Sequence, residues 1–305
     1  MLTKAFLALL SLYFVNASPI PNGSGIDKRA SITALTTTQI DAFTPYTYFA
    51  GVAYCTPTQT LAWDCGANCD ANSGFVTTAS GGNGDDTQYW YVGYDSSLNS
   101  VVVGHQGTDP SEIDSLLVDA DFIAESLDST LFPGISSSVK VHNGFADAHA
   151  RAAPSVLAAV EETLSAHSGA SVTLVGHSLG AALALLDAVY LPLHLPSDTV
   201  FKYVGFGQPR VGNQAFADYV DANVSDKTRI TNKKDPVPIL PGRLLGFHHA
   251  SGEVHIYSKT DAWNSCPGQD NTNSVCTIGD VPNIFVSDID DHSGPYNGVT
   301  IECSA

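Results

Sequence analysis

The stretch Ser171–Val189, SVTLVGHSLGAALALLDAV, constrains the fold more than any other part of the chain. Its first residues, Ser171–Val175, read as a short buried strand. Leu179–Tyr190 is apolar almost all round, as expected of a helix buried at the centre of a domain. Between them stand Gly176, His177 and Ser178, with Gly180 two places beyond the serine. Only glycine-sized neighbours on either side let strand and helix close around a serine at such a bend.

A serine hydroxyl is a poor nucleophile at its free pKa and needs a base within hydrogen-bond reach. The bend holds it clear of the backbone, so an acyl carbon can approach. The helix that starts at Leu179 aims its positive end at any oxyanion formed beside Ser178. A Gly-x-Ser-x-Gly string can also mark a plain surface loop. Here both flanking elements match the elbow, and the reading is therefore nucleophilic catalysis at Ser178.

The rest of the chain supports an α/β architecture. Strand-like runs recur at Gln88–Tyr94, Ser100–Gly104, Phe201–Gly205, Lys227–Asn232 and Glu253–Tyr257, each short and bounded by turn residues. Pro154–His167 places Val156, Leu157, Val160 and Leu164 on one helical face. Strands alternating with helices, the central helix buried, predict three layers around a mixed, predominantly parallel sheet. No repeat or long linker divides the chain, so residues 30–305 are expected to form one domain.

The first residues read differently. Lys4, the apolar run Ala5–Val15 and the small residues Asn16-Ala17-Ser18 have the form of a secretory signal over residues 1–18. As a membrane anchor the run is too short. Residues 19–29 then read as a short propeptide ending in the dibasic pair Lys28-Arg29. The formal net charge is −18, and losing Lys4, Asp27, Lys28 and Arg29 with the leader takes it to −20. Such a surface repels nucleic acid and anionic membranes. An extracellular chain with no transmembrane segment, working as a monomer, is expected.

Six cysteines in a secreted chain point to disulfides. Cys65 and Cys69 are close enough to close a small loop, as are Cys266 and Cys276, which leaves Cys55 and Cys303; spacing alone does not fix the pairing. A zinc site at Cys65 and Cys69 is the rival reading. Asn223-Val-Ser225 is a glycosylation acceptor motif. No cofactor or metal is indicated: Asp288, Asp290 and Asp291 lie close together but lack a recognisable calcium-ligand spacing.

In this architecture the base follows the nucleophile and its acid in chain order. His194 comes too early, and His255 alternates with Val254 and Ile256 as a sheet residue would. His248 and His249 share a loop after LPGRLLGF. His292 lies late in the chain, in the polar loop DIDDHSGPYNG. Position favours His292, with His249 a live rival. Asp235, at the end of TRITN and just before Pro236, suits a carboxylate that orients the imidazole. Asp218, Asp221 and Asp226 read as a solvated acidic face. For the oxyanion, Leu179 offers its backbone N–H, and Thr108, after the strand and Gly107 in SVVVGHQGTDP, offers a second donor.

VHNGF, GHSLGAALA, FGQPRVGN, RITNKKDPVPILP and DHSGPY together resemble the fungal class 3 lipases in order and spacing. The resemblance spans Thr44–Cys303. It implies an α/β-hydrolase-like fold, a Ser178-Asp235-His292 triad, and Thr108 and Leu179 as oxyanion donors. It also implies the disulfides Cys55–Cys303, Cys65–Cys69 and Cys266–Cys276. Two departures stand out: Ala181 replaces a second glycine after the elbow, and His105-Gln106-Gly107 replaces an aromatic-Arg-Gly sequence.

Members of that family include triacylglycerol lipases and feruloyl esterases, and in the lipases a helical lid follows the oxyanion residue. The segment DPSEIDSLLVDADF places Ile113, Leu116, Leu117 and Ala120 at i, i+3, i+4 and i+7, opened by Asp109-Pro110. Exposing each large aliphatic would cost about 1.5–3 kcal/mol. A lid closed in buffer and opened at a lipid–water interface is expected, which favours acylglycerols. Against this, the segment has no tryptophan and its polar face is acidic, so a feruloyl or general carboxylesterase is the alternative. An inactive scaffold used as a binding module is the remote third reading.

Overall fold

The Val- and Thr-rich runs of the sequence are brought side by side in one sheet. The computed structural model describes residues 31–109 and 123–304. The leader, residues 1–30, and the segment 110–122 that carries Ile113, Leu116, Leu117 and Ala120 lie outside the described residues. In chain order the strands are β1 (Thr33–Ala34), β2 (Phe75–Gly81), β3 (Trp90–Asp95), β4 (Ser100–His105), β5 (Ala124–Ser126), β6 (Lys140–His142) and β7 (Ser171–His177). There follow β8 (Phe201–Phe206), β9 (Gly212–Asn213), β10 (Lys227–Asn232), β11 (Phe247–His248), β12 (Glu253–Ile256) and β13 (Trp263–Cys266).

The main sheet runs β1-β13-β12-β10-β8-β7-β4-β3-β2, and a small second sheet runs β11-β9-β6-β5. Parallel pairing is confined to the five central strands, β12-β10-β8-β7-β4, while the outer pairs on both sides are antiparallel. Central parallel strands are covered on both faces, and β4 shows it: all six of its residues are buried. Its side chains alternate between layers. Val101 and Val103 pack with Val156, Val160 and Leu186, whereas Val102 packs with Phe49 and Tyr91 in a second core on the opposite face.

The first of these layers is built on two helices. Leu179–Tyr190 has the bounds read from its sequence, and ten residues from Ala181 to Tyr190 are all buried. The other helix spans Asn143–Ala166, not Pro154–His167, with Pro154 in its interior. Pro154 and Ala150 are both exposed. The carbonyl that the proline leaves without a donor therefore faces solvent, where its loss is tolerated.

The second layer comes from N-terminal helices, two of which open with the same device. Thr36 and Gln39, and again Thr56 and Gln59, form capping boxes, the latter with Pro57 at the first turn. Disulfides tie the ends of the chain. Cys55 bonds Cys303, Cys65 bonds Cys69, and Cys266 bonds Cys276. The sulfurs of Cys65 and Cys69 are thereby removed as zinc ligands.

Candidate active site

Ser178 occupies the bend between β7 and its helix at φ 58°, ψ −129°. That conformation costs a non-glycine residue about 1–3 kcal/mol and needs its surroundings to enforce it. They do so from both sides. The Ser178 N–H donates to the Phe206 carbonyl of β8 at 2.9 Å, continuing the sheet into the bend. Its own carbonyl accepts from Ala181 and Ala182, at 3.0 and 3.3 Å, and so starts the helix. Leu179, at the first position of that helix, has an N–H with no intrahelical acceptor.

The end of β4 crosses this helix start. A β-carbon on residue 180 would lie 2.2 Å from the His105 carbonyl oxygen, and one on residue 107 would lie 3.1 Å from Ser178 Cβ. Thr108, partly exposed, is thus held in the loop that abuts the serine.

Asp235 and His292 enter from loops at the same end of the sheet. His292 Nδ1–H donates to Asp235 Oδ2 at 2.9 Å, and both side chains are buried. Asp235 Oδ1 accepts from the Val237 N–H at 2.8 Å, which fixes the carboxylate plane. The imidazole is therefore presented with Nε2 free: it makes no hydrogen bond to any described residue, Ser178 included. Such contacts are often long in unliganded enzymes and tighten around substrate. Proximity is set through the neighbour of the serine. The rings of His177 and His292 lie 4.4 Å apart, and His177 Nε2–H donates to the His292 main-chain carbonyl at 2.9 Å.

Burial, reinforced by the nearby His292, holds the His177 pKa well below the usual histidine range. His177 is accordingly neutral.

Gly207 lies against the histidine–carboxylate pair and was not singled out from the sequence as a site residue. Its φ is +53°, and a β-carbon there would meet His292 Cε1 at 2.9 Å and Asp235 Oδ2 at 3.2 Å. A glycine at the end of a core strand, in FGQPRVGN, was the local signal.

The other histidines are accounted for elsewhere. His249 is buried and turned to the Pro238 carbonyl at 2.8 Å, while His194 meets the Leu131 carbonyl at 2.7 Å. His255, in β12, contacts Thr231 and Asp280, as a sheet residue. His248 lies 3.3 Å from Asp270. The unusual His105 contacts Asp187 on the elbow helix, and Gln106 bonds to the Tyr89 backbone.

Of the expected acidic face, Asp218 and Asp226 are exposed, but Asp221 accepts from Ser251 and pairs with Lys227. Asp288 caps the turn through the Asp290 N–H, and Asp291 accepts from the Lys234 N–H, which ties this loop to the one that carries Asp235. Asn223 is exposed at the end of the helix Gln214–Asn223.

A mixed sheet covered on both faces, with a strained serine at a strand-to-helix bend and a buried histidine–carboxylate pair beside it, defines an α/β-hydrolase-like serine hydrolase. Residues 102–245 match the family model "Lipase (class 3)". The chain is 35% identical over 225 residues to the secreted mono- and diacylglycerol lipase MDL2 of Malassezia globosa, covering 70% of this chain and 72% of that one. With MDL3 of the same organism identity is 34% over 287 residues, covering 91% and 90%. The structure of Rhizomucor miehei triacylglyceride lipase superposes with a TM-score of 0.77 at 29% identity, covering 90% of this chain and all of that one. The chain belongs to the class 3 lipase family. It is a secreted carboxylic-ester hydrolase, consistent with three disulfides and relatives named as secreted. Among the described residues, no helix is long and apolar enough to cross a membrane.

Proposed function

We propose that the protein hydrolyses acylglycerols at a lipid–water interface, as a monomer, with Ser178 as nucleophile, His292 as base and Asp235 as its orienting partner. The observation that carries this reading is the buried Asp235–His292 pair, which leaves Nε2 unpaired beside a serine held at φ 58°. As Ser178 Oγ attacks the ester carbonyl carbon, its proton passes to His292 Nε2. The charge that develops on the carbonyl oxygen faces the N–H groups of Thr108 and Leu179. Collapse breaks the acyl C–O bond, and the glycerol hydroxyl leaves with the proton from Nε2. Water then attacks the acyl-serine, gives a proton to Nε2, and the fatty acid departs as that proton returns to Ser178. The Asp235 carboxylate holds the Nδ1–H tautomer throughout and stabilises the imidazolium.

The relatives' named substrates support partial glycerides. Interface binding is supported by exposed apolar side chains on the loops that carry the site. Leu244 and Leu245 follow Asp235, and Ile284, Phe285 and Val286 precede His292; Leu244 and Phe285 are 104% and 92% exposed. Processing at Lys28-Arg29 would leave residues 30–305 as the working domain.

The test is a parallel assay of emulsified mono-, di- and triacylglycerol, a soluble short-chain ester and methyl ferulate. Turnover of the glycerides that rises once droplets form, and that vanishes in Ser178→Ala, is the expected result. Preference for methyl ferulate, or undiminished activity in Ser178→Ala, would overturn the reading.

A further inference from the structure

We infer that Tyr54 is a positioning residue for the ester hydrolysis proposed above, coupling the Thr108 loop to the main chain of His292 through His177. The inference rests on that functional reading and on a chain of hydrogen bonds that reaches the base only through its main-chain carbonyl.

Tyr54 lies just after the N-terminal helix Thr44–Val52 and next to Cys55, which is bonded to Cys303. Its hydroxyl is 2.7 Å from His177 Nδ1. On the other side of the imidazole, Nε2 faces the His292 carbonyl at 2.9 Å. A carbonyl can only accept, so in a neutral His177 the single ring hydrogen sits on Nε2. Nδ1 is then a bare acceptor, and the Tyr54 O–H must donate to it. Burial pushes the phenol pKa up, which keeps that hydrogen in place. The direction of every bond in the chain is thereby determined.

The chain extends at both ends. At one end Gly107 packs directly on the Tyr54 hydroxyl: a β-carbon on residue 107 would lie 2.2 Å from it. The hydroxyl thus buttresses the loop whose next residue, Thr108, is the proposed oxyanion donor. At the far end the His292 carbonyl accepts a second bond from the Tyr296 hydroxyl at 3.1 Å. The loop carrying one oxyanion donor, the residue before the nucleophile and the backbone of the base are tied into one network. Removing the Tyr54 hydroxyl would take away the atom that Gly107 packs on and leave His177 Nδ1 unpaired. The tautomer that braces His292 would no longer be enforced. Groups that must be aligned in the transition state would loosen together, while ground-state ester binding would be little changed.

The test uses the full chain and soluble p-nitrophenyl butyrate. Tyr54→Phe keeps the ring and removes only the hydroxyl. The expected result is a kcat about tenfold lower with KM within about twofold, and a parallel fall in the rate at which an alkyl phosphonate labels Ser178. His177→Leu and the double variant complete a cycle. If the hydroxyl acts through His177, the double variant is no slower than His177→Leu alone. A kcat in Tyr54→Phe equal to wild type, even with a lowered melting temperature, would overturn the role; additive losses in the cycle would do the same. Should His177→Leu fail to fold, the kcat and labelling rates of Tyr54→Phe decide alone. A wild-type protein inert toward every ester would remove the functional reading with it, whereas an active wild type matched by Tyr54→Phe removes only the positioning role.

Discussion

Gly176 faces the backbone of Gly180 so closely that a β-carbon on residue 176 would lie 2.2 Å from the Gly180 carbonyl oxygen. Gly180 stands in the same relation to His105, again at 2.2 Å from a carbonyl oxygen. Neither neighbour is a flexible side-chain tip, so a methyl group cannot be absorbed by a rotamer change. Gly180→Ala is expected to force strand β4 away from the helix start, at a cost of about 3 kcal/mol. For a domain of this size that lowers the melting temperature by roughly 6–12 °C. Thermal unfolding followed by circular dichroism reads the shift, and an unchanged transition would show that the two backbones are not in contact.

Asp235 makes a different kind of prediction, because Asp235→Asn keeps shape and removes charge. The amide would present either a donor or a weaker acceptor to His292 Nδ1, and the imidazole would lose the tautomer that leaves Nε2 bare. A drop in kcat of about ten-thousandfold on a soluble ester is expected. The far-ultraviolet spectrum should not change. Retention of more than a tenth of wild-type kcat would assign the orienting role to another group.

Much of this was legible in local sequence. The bend between β7 and its helix is written in neighbouring residues, and the six strands read from the sequence fall within one or two residues of their bounds, whereas the other seven described strands, several of only two or three residues, were not read. Pro154 misled because a proline is a good first helical residue, while its tolerance inside a helix depends on which face meets solvent. The capping boxes at Thr36 and Thr56 were written locally and could have been read. Tyr54 and Gly207 could not: Tyr54 meets His177 across 123 positions of sequence, and Gly207 owes its importance to a ring contributed by His292. Neither partner leaves a mark on its own neighbourhood in the chain.

Two buried histidines give stability a pH dependence of definite sign. Burial holds His177 well below the ordinary histidine value, with His292 adding to the effect; burial likewise lowers His249, helped by Arg229 and Arg210. In the unfolded chain both recover a pKa of about 6.5. Below that value the unfolded state binds protons that the folded state refuses, so stability is complete above it and falls as pH drops. Each histidine contributes a slope of at most about 1.4 kcal/mol per pH unit. Urea unfolding at pH 7.5 and 5.5 should show the loss, and His249→Gln should reduce it by roughly half if the two sites contribute equally. Equal stability at both pH values would mean that the rings are protonated in the folded protein.

Asp187 sets a further limit at lower pH. Its carboxylate is fully buried on the elbow helix and accepts from His105 Nε2 at 2.6 Å and from His149 Nε2 at 2.8 Å. These contacts join β4, the helix Asn143–Ala166 and the helix that follows Ser178. Burial alone would raise its pKa, but the two imidazoles outweigh that and bring it down to about 2. A depressed carboxylate stabilises the fold above its unfolded value of about 3.9, and that contribution disappears as pH falls toward 2. Asp187→Asn would set an amide nitrogen against one of two imidazole donors and leave that donor unsatisfied. Removing one partner of a buried set of this kind costs about 3–5 kcal/mol. Guanidinium unfolding at pH 7 should show a loss of that size, and the variant's acid-unfolding curve should be flatter than wild type between pH 4 and 2. If Asp187→Asn unfolds at the wild-type midpoint, the carboxylate is not what holds the two histidines, and the junction of strand and helices must be stabilised by its apolar contacts alone.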